Sequence, residues 1–373
     1  MKKIIVFFIL SVVFRIPSYA VNVDEYRKDS LEASGAKELS EYLGEDAKEY
    51  LEKLGCEDIE LESILALSSD SVFELISDLV KNGIKAPLKG FMTASGAVLL
   101  VNICSGFFPD DEKSKIVLNL ICGSILVIGI FVPASDGLKA AASVAEACAV
   151  FEKALIPVLA GVVTACGNPT VALTYKGAAF AAAEFVSAFA KNFAMPLVGV
   201  SGALGITGAM MPTLRLSAIS EMIRKTMVTV LSLAASLFTG FLALKNILSA
   251  SADGLITKGV KLASGTFIPV IGGALGEAYS SVLGSLGLMK NTIGIYAVLA
   301  FFAICLPAVI NLALWVISMR LACIMSDLLD CRICSEILRN IAFVFSMMNS
   351  LILLCMAVFV ISTGLIITVK TGG

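Results

Sequence analysis

Thr266–Gly287 reads TFIPVIGGALGEAYSSVLGSLG, too apolar for a solvated loop and too rich in glycine for a plain lipid-facing helix. Its one charge is Glu277. At helical spacing Gly272, Gly276, Ser280 and Gly284 fall at i, i+4, i+8 and i+12. That lines small side chains along one face, where a second backbone can come close. Pro269 stands near the start, where a missing N–H is tolerated. Two readings stay open. One is a tightly packed helix; the other is a re-entrant or broken helix lining a polar path, which a bilayer admits only where protein covers the free backbone groups. The wider segment 246–291, which adds Asp253, Lys258, Lys261 and Lys290, is read as the glycine-rich core of a membrane domain.

The rest of the chain agrees with a membrane setting. Of 373 residues 58% are hydrophobic and 16% charged, and the mean hydropathy is +0.91. A soluble domain carries about 25% charged residues. A formal net charge of −2 gives no reason to expect nucleic acid as a partner. No histidine is present, which removes imidazole bases, histidine-ligated metals and serine–histidine nucleophile pairs. Of ten cysteines, Cys104, Cys122, Cys166, Cys305 and Cys355 lie in apolar stretches and read as small hydrophobes. Only Cys56 lies in the polar N-terminal region, so no disulfide framework is expected there.

In order, residues 1–20 read as a secretory signal peptide: two lysines, an apolar core, Pro17, then Ser18-Tyr19-Ala20. Residues 21–89 form an acidic helical region expected outside the cytoplasm, with 17 acidic side chains against 8 basic ones. Leu39, Leu43, Ala47, Tyr50 and Leu51 recur at helical spacing, as do Val72, Leu75, Ile76 and Leu79. Ser71-Val72-Phe73-Glu74 fits a capping box. From residue 90 to 373 the chain reads as an all-α polytopic membrane domain of about six to eight spans, some of them re-entrant. Gly90–Phe108, Ile116–Ala134, Met227–Leu244, Asn291–Ile317 and Ile341–Thr368 are the plain spans. Leu138–Glu152 reads as an interfacial helix. Ala154–Tyr175 is a span broken at Gly167-Asn168-Pro169, and Gly177–Ala190 and Phe193–Met211 are separate short pieces. The basic stretches Arg215–Lys225 and Arg320–Arg339 are expected to face the cytoplasm.

Chemistry-bearing motifs are few. Gly199-Val200-Ser201-Gly202 matches an intramembrane protease pattern, but that chemistry needs a histidine the chain lacks. Cys331-Arg332-Ile333-Cys334 has C-x-x-C spacing without a second ligand pair. No cofactor or metal site is expected. The remaining candidates are charges at membrane depth, Glu184 and Glu277, which are expensive in lipid and face protein or water. Asn311 lies inside a long span near Pro307. Phe193-Ala194-Met195-Pro196 with Gly202-Ala203-Leu204-Gly205 echoes Phe267-Ile268-Pro269 with Gly273-Ala274-Leu275-Gly276, and paired broken helices are how many transporters build midplane sites.

Ala250–Phe301, with Asp253-Gly254, Gly265-x-Phe267-x-Pro269-Val270, Gly272 and Leu288-x-Lys290-Asn291-Thr292-x-Gly294, resembles the signature region of the stage III sporulation protein AE family of endospore-forming bacteria. The order of parts agrees over most of the chain. The resemblance implies a non-enzymatic, multi-pass protein of the mother-cell membrane around the forespore. It implies partners among the other stage III sporulation membrane proteins and on the forespore side, in a secretion-like channel needed for late forespore gene expression. A self-sufficient secondary transporter is the alternative reading. Family resemblance carries over no catalytic residues.

Overall fold

A helix that is apolar on every side has to be covered on every side, and two such helices make the centre of this protein. The structure, a computed structural model, describes residues 31–369 apart from 32–33, 57, 60, 66, 108–111, 212–215, 217, 234–235, 237–239 and 241–271. The expected signal peptide and Pro269 lie outside the described residues, which are 91% helical with no strand.

Ahead of the bundle a 3₁₀ turn (Ala36–Tyr42) leads to α1 (Glu45–Lys53), α2 (Leu61–Leu65) and α3 (Ser69–Gly83). The long elements are α4 (Lys85–Ser105), α5 (Glu112–Leu126), α6 (Val132–Ala165), α7 (Pro169–Phe189) and α8 (Met195–Met210). Then come α9 (218–233), α10 (Gly272–Leu328) and α11 (Arg332–Ile367). The central pair is α10 and α11, an antiparallel hairpin. Its register runs from Gly294 beside Ile367, through Phe301 stacked on Phe359, to Trp315 stacked on Phe345 and Cys323 against Ser335. At 57 residues, α10 is about 86 Å long at ~1.5 Å per residue, well beyond the ~30 Å of a hydrocarbon core.

α6 lies antiparallel to α10, with the Cys148 and Cys305 sulfurs 3.1 Å apart and Gly137 beside Asn311. α4 runs parallel to α10 and is tied to it at its far end, where Asn102 Nδ2 donates to the Leu329 carbonyl (2.6 Å). Cys122 of α5 faces Cys334 of α11, sulfur to sulfur at 2.6 Å. All ten cysteines are free thiols; Cys122, Cys166, Cys305 and Cys355 are buried as expected, but Cys104 is exposed.

Backbone chemistry explains the corners. After α6, Asn168 N donates to Val163 O and Gly167 N to Thr164 O, with Gly167 at φ 83°. This is a Schellman closure, and Pro169 then opens α7 at a position needing no N–H. The α10–α11 corner repeats it: Cys331 N donates to Ser326 O, Asp330 N to Asp327 O, and Asp330 takes φ 54°. Gly167→Ala is expected to lower stability by about 1–2 kcal/mol, because a Cβ is disfavoured in the left-handed region. Thermal unfolding of the purified protein in detergent measures it; an unchanged midpoint would show that the corner relaxes freely.

Prolines explain two π-helical turns. Val127–Phe131 precedes Pro133, and Ala190–Ala194 precedes Pro196. A proline ring crowds the carbonyl four residues back and removes one N–H, so the helix widens locally without stopping.

Among the described residues five helical stretches are long and apolar enough to cross a membrane: Lys85–Ser105, Ala134–Ala165, Pro169–Met210, Val282–Leu328 and Arg332–Gly364. Ile116–Phe131 is a shorter apolar helix. This is an all-α, multi-span architecture, as expected, but several boundaries differ. Leu138–Glu152 is not a separate interfacial helix: it is continuous with the apolar half of α6, and Glu152 is buried. Ala154–Tyr175 is a corner rather than a span, because the Gly167 closure reverses the chain. Gly177–Ala190 and Phe193–Met211 are one helical run, since Pro196 produces a π turn instead of a break. Met319–Asn340 is helical on both sides of the Asp330 corner. At α3, the cap is Ser68, whose Oγ accepts from Ser71 N at 3.1 Å, three residues before the expected box. Of the expected span Met227–Leu244, α9 covers the part up to residue 233.

Ala36, Leu39, Leu43, Ala47, Leu51 and Cys56 share one hydrophobic cluster with the bundle, and Asp58 and Cys56 lie near Tyr296 of α10. Burial pushes the Cys56 thiol above its ordinary range. The two basic stretches meet at one place: Arg224, which lies over the Phe343 ring at 3.9 Å, is close to Arg320 and Arg339.

Candidate functional site

α6 and α7 form a hairpin whose outer face carries two ion pairs, Lys153–Glu184 at 2.8 Å and Glu146–Lys191 at 3.7 Å. Each pair is seven residues from the other along both helices, two turns apart on the same face. On α6 the exposed positions 136, 139, 143, 146, 150 and 153 follow that seven-residue rhythm. The opposite positions, Cys148, Glu152, Leu155 and Leu159, follow it into the core.

Between the helices runs a crevice lined by small residues. Its outer part, a cavity of about 240 Å³, is bounded by Ser143, Ala145, Glu146, Ser187, Ala190 and Lys191. A narrower inner part of about 10 Å³, room for about one water molecule, shares Ala145, Ser187 and Ala190 and ends among Cys148, Glu152, Phe301 and Cys355. Alanines keep the helices close without filling the space between them, and the π turn at Ala190–Ala194 forms one wall at the mouth.

Glu152 is the chemically unusual group. It is 9% exposed, and no described ion pair includes it; the neighbouring Lys153 is engaged by Glu184 on the outer face. An acidic side chain at the centre of a span costs about 3 kcal/mol even on the mildest insertion scale, so its retention in a core of thiols, alanines and aromatic rings needs a reason. Deeper in the same interface Tyr175 is fully buried, with the Ser362 hydroxyl beside it.

A second buried charge closes the far end of the bundle. Lys290, 3% exposed, donates from Nζ to the Val369 carbonyl just past the end of α11. There an ammonium satisfies an orphan carbonyl and complements the helix dipole.

The expected site residues separate. Gly272, Gly276, Glu277 and Ser280 fall in the first turns of α10, of which only the helical backbone is described. Gly284 faces open space: a Cβ there would meet nothing within 4 Å. Close approach is made by other glycines. A Cβ on Gly202 would lie 2.7 Å from Val344, one on Gly205 would strike Asn340, and one on Gly294 would strike Ile367. Glu184 is not at the crevice floor but in the exposed pair with Lys153. Asn311 lies next to Gly137, and its Oδ1 is buried without a hydrogen-bond partner among the described residues. Sequence reasoning missed Glu152 as a site, although the spacing 148, 152, 155, 159 placed it on an apolar stripe. At the C-x-x-C pair, the Cys334 thiol hydrogen-bonded to Cys331, together with burial, holds the Cys331 thiol protonated above its ordinary range. Among the described residues no group of side chains is arranged to hold a metal ion.

Comparison with known proteins agrees with the resemblance in the α10 region and extends it. A family model described as stage III sporulation protein AE matches residues 48–370. A Bacillus subtilis (strain 168) relative, named stage III sporulation protein AE, is 23% identical over 231 residues, 62% of this chain. The match takes in 58% of that relative's length. No solved structure matches the chain. With the family match running from α1 to just beyond α11, over described residues that include five helical stretches able to span a membrane, this chain belongs to the stage III sporulation protein AE family.

Proposed function

We propose that this protein is a non-enzymatic, multi-pass component of the secretion-like channel joining mother cell and forespore, and that it forms a permease-like or export-gate part of it. Family membership across residues 48–370 is the observation that carries this reading. It resides in the mother-cell membrane around the forespore and works with other stage III sporulation membrane proteins and a forespore-side partner. Residues 1–20 act as signal peptide, 21–89 as an extracytoplasmic acidic region suited to docking, and 90–373 as the membrane domain. The meeting of Arg224, Arg320 and Arg339 supports a cytoplasmic placement of that end. In this reading the small-residue face of Pro269, Gly272, Gly276, Ser280 and Gly284, with Glu277, Glu184 and Asn311, contributes helix packing or pathway positions.

Deleting the gene is expected to arrest spores after engulfment, and normal heat-resistant spore counts from the deletion strain would defeat the proposal. Ser251→Cys should react with a membrane-impermeant thiol reagent from outside and Arg332→Cys only from inside; labelling of both from one side overturns the orientation. The alternative, a stand-alone secondary transporter, is favoured by one feature, the crevice that ends on Glu152 beside a π turn. Solute uptake by liposomes holding this chain alone, reduced by Glu277→Gln, would select it. No flux without partners selects the channel component.

A further inference from the structure

We propose that Glu152 is a proton-binding site, its carboxyl taking up and releasing a proton through the crevice between α6 and α7. The inference goes beyond the channel role and does not depend on it. Three observations carry it. Glu152 is more than nine-tenths buried and lines the inner crevice. Every element around it presents uncharged groups: Cys148 from α6, Ser187 and more distantly Tyr175 from α7, Phe301 and Cys305 from α10, and Cys355 from α11. The nearby charges are satisfied elsewhere, Lys153 by Glu184 and, at the mouth, Lys191 by Glu146.

A carboxylate without a cation in an apolar enclosure is unstable as an anion and neutralises itself by binding a proton. The crevice supplies the exchange route, since Ala145, Ser187 and Ala190 border both its inner and outer parts. A water reaching the inner part from the Glu146–Lys191 mouth solvates the ionised form, and the apolar alanine walls favour the neutral one. Deprotonation transfers the proton to that water, and reprotonation reverses the step. A hard metal cation is a poorer occupant, because six or more oxygen ligands are usual for calcium and Ser187 is the one hydroxyl among the residues lining the inner crevice.

Infrared spectroscopy of the full-length protein in lipid nanodiscs tests this. The unmodified protein is expected to show the carbonyl band of a protonated carboxyl at neutral pH. That band should disappear reversibly at alkaline pH and be lost in Glu152→Gln. Spectra of protein and variant that superimpose at every pH would overturn the proposal. A band abolished by sodium at constant pH would also overturn it, in favour of a cation site. Should Glu152→Gln fail to fold, the unmodified protein is treated with an apolar carbodiimide, which attacks protonated carboxyls in apolar surroundings. An adduct on Glu152 that falls as pH rises supports the site, and a pH-independent adduct or none overturns it.

Discussion

Phe359→Ala is expected to lower stability by about 3–5 kcal/mol, the range for emptying a buried phenylalanine site. Phe359 is 1% exposed and lies face to face with Phe301, ring centroids 3.8 Å apart and planes within 10°, with Phe151 6.3 Å away. These three rings come from α6, α10 and α11, so one truncation loosens the junction of all three helices. Aromatic pairing adds about 0.5–1.5 kcal/mol to the cavity term. In lipid the loss is one of packing more than of water exclusion, because hydrocarbon is itself apolar. The thermal midpoint in detergent is the measurement, with Phe359→Leu as the milder control. Equal midpoints for alanine, leucine and parent would mean that the junction does not hold the bundle together.

Gly90→Val is expected to be nearly as damaging, for the opposite reason. A Cβ on Gly90 would lie 2.5 Å from Trp315 Cζ3 and 3.0 Å from its Cη2, and valine adds two further methyls. Trp315 cannot readily move aside, since it is 3% exposed and its ring is stacked on Phe345 at 5.3 Å. Overpacking of this kind costs about 1–3 kcal/mol or more, here with α4 pushed away from α10. Trp315→Leu in the same chain is expected to restore part of the loss. A double variant no more stable than Gly90→Val alone would show that the clash is relieved elsewhere.

Composition and hydropathy made the all-α membrane class legible, because 58% hydrophobic residues against 16% charged leave no soluble alternative of ordinary kind. The match over Ala250–Phe301 carried the family, and the structure places Lys290 and Gly294 of its last motif at buried contacts with the end of α11. Boundaries were less legible. Lys191-Asn192 and Gly167 both read as interruptions, yet the helix only widens at the first, ahead of Pro196, and ends at the second. The difference lies in backbone geometry: Gly167 takes a positive φ that closes a Schellman corner, whereas the chain around Pro196 keeps helical dihedrals.

Local sequence determined that this chain is helical, that it is built for a membrane, which family it belongs to, and that glycine would matter for close helix approach. Tertiary structure alone decided which glycines do so: Gly90, Gly123, Gly129, Gly202, Gly205 and Gly294 meet a neighbour at once, while Gly284 looks outward. It also decided that Glu152 is buried while Glu184 is exposed. The reason is physical. Periodicity along one helix says which residues share a face, but the partner against that face comes from residues as distant in the chain as Trp315 is from Gly90, and only the folded register brings the two together.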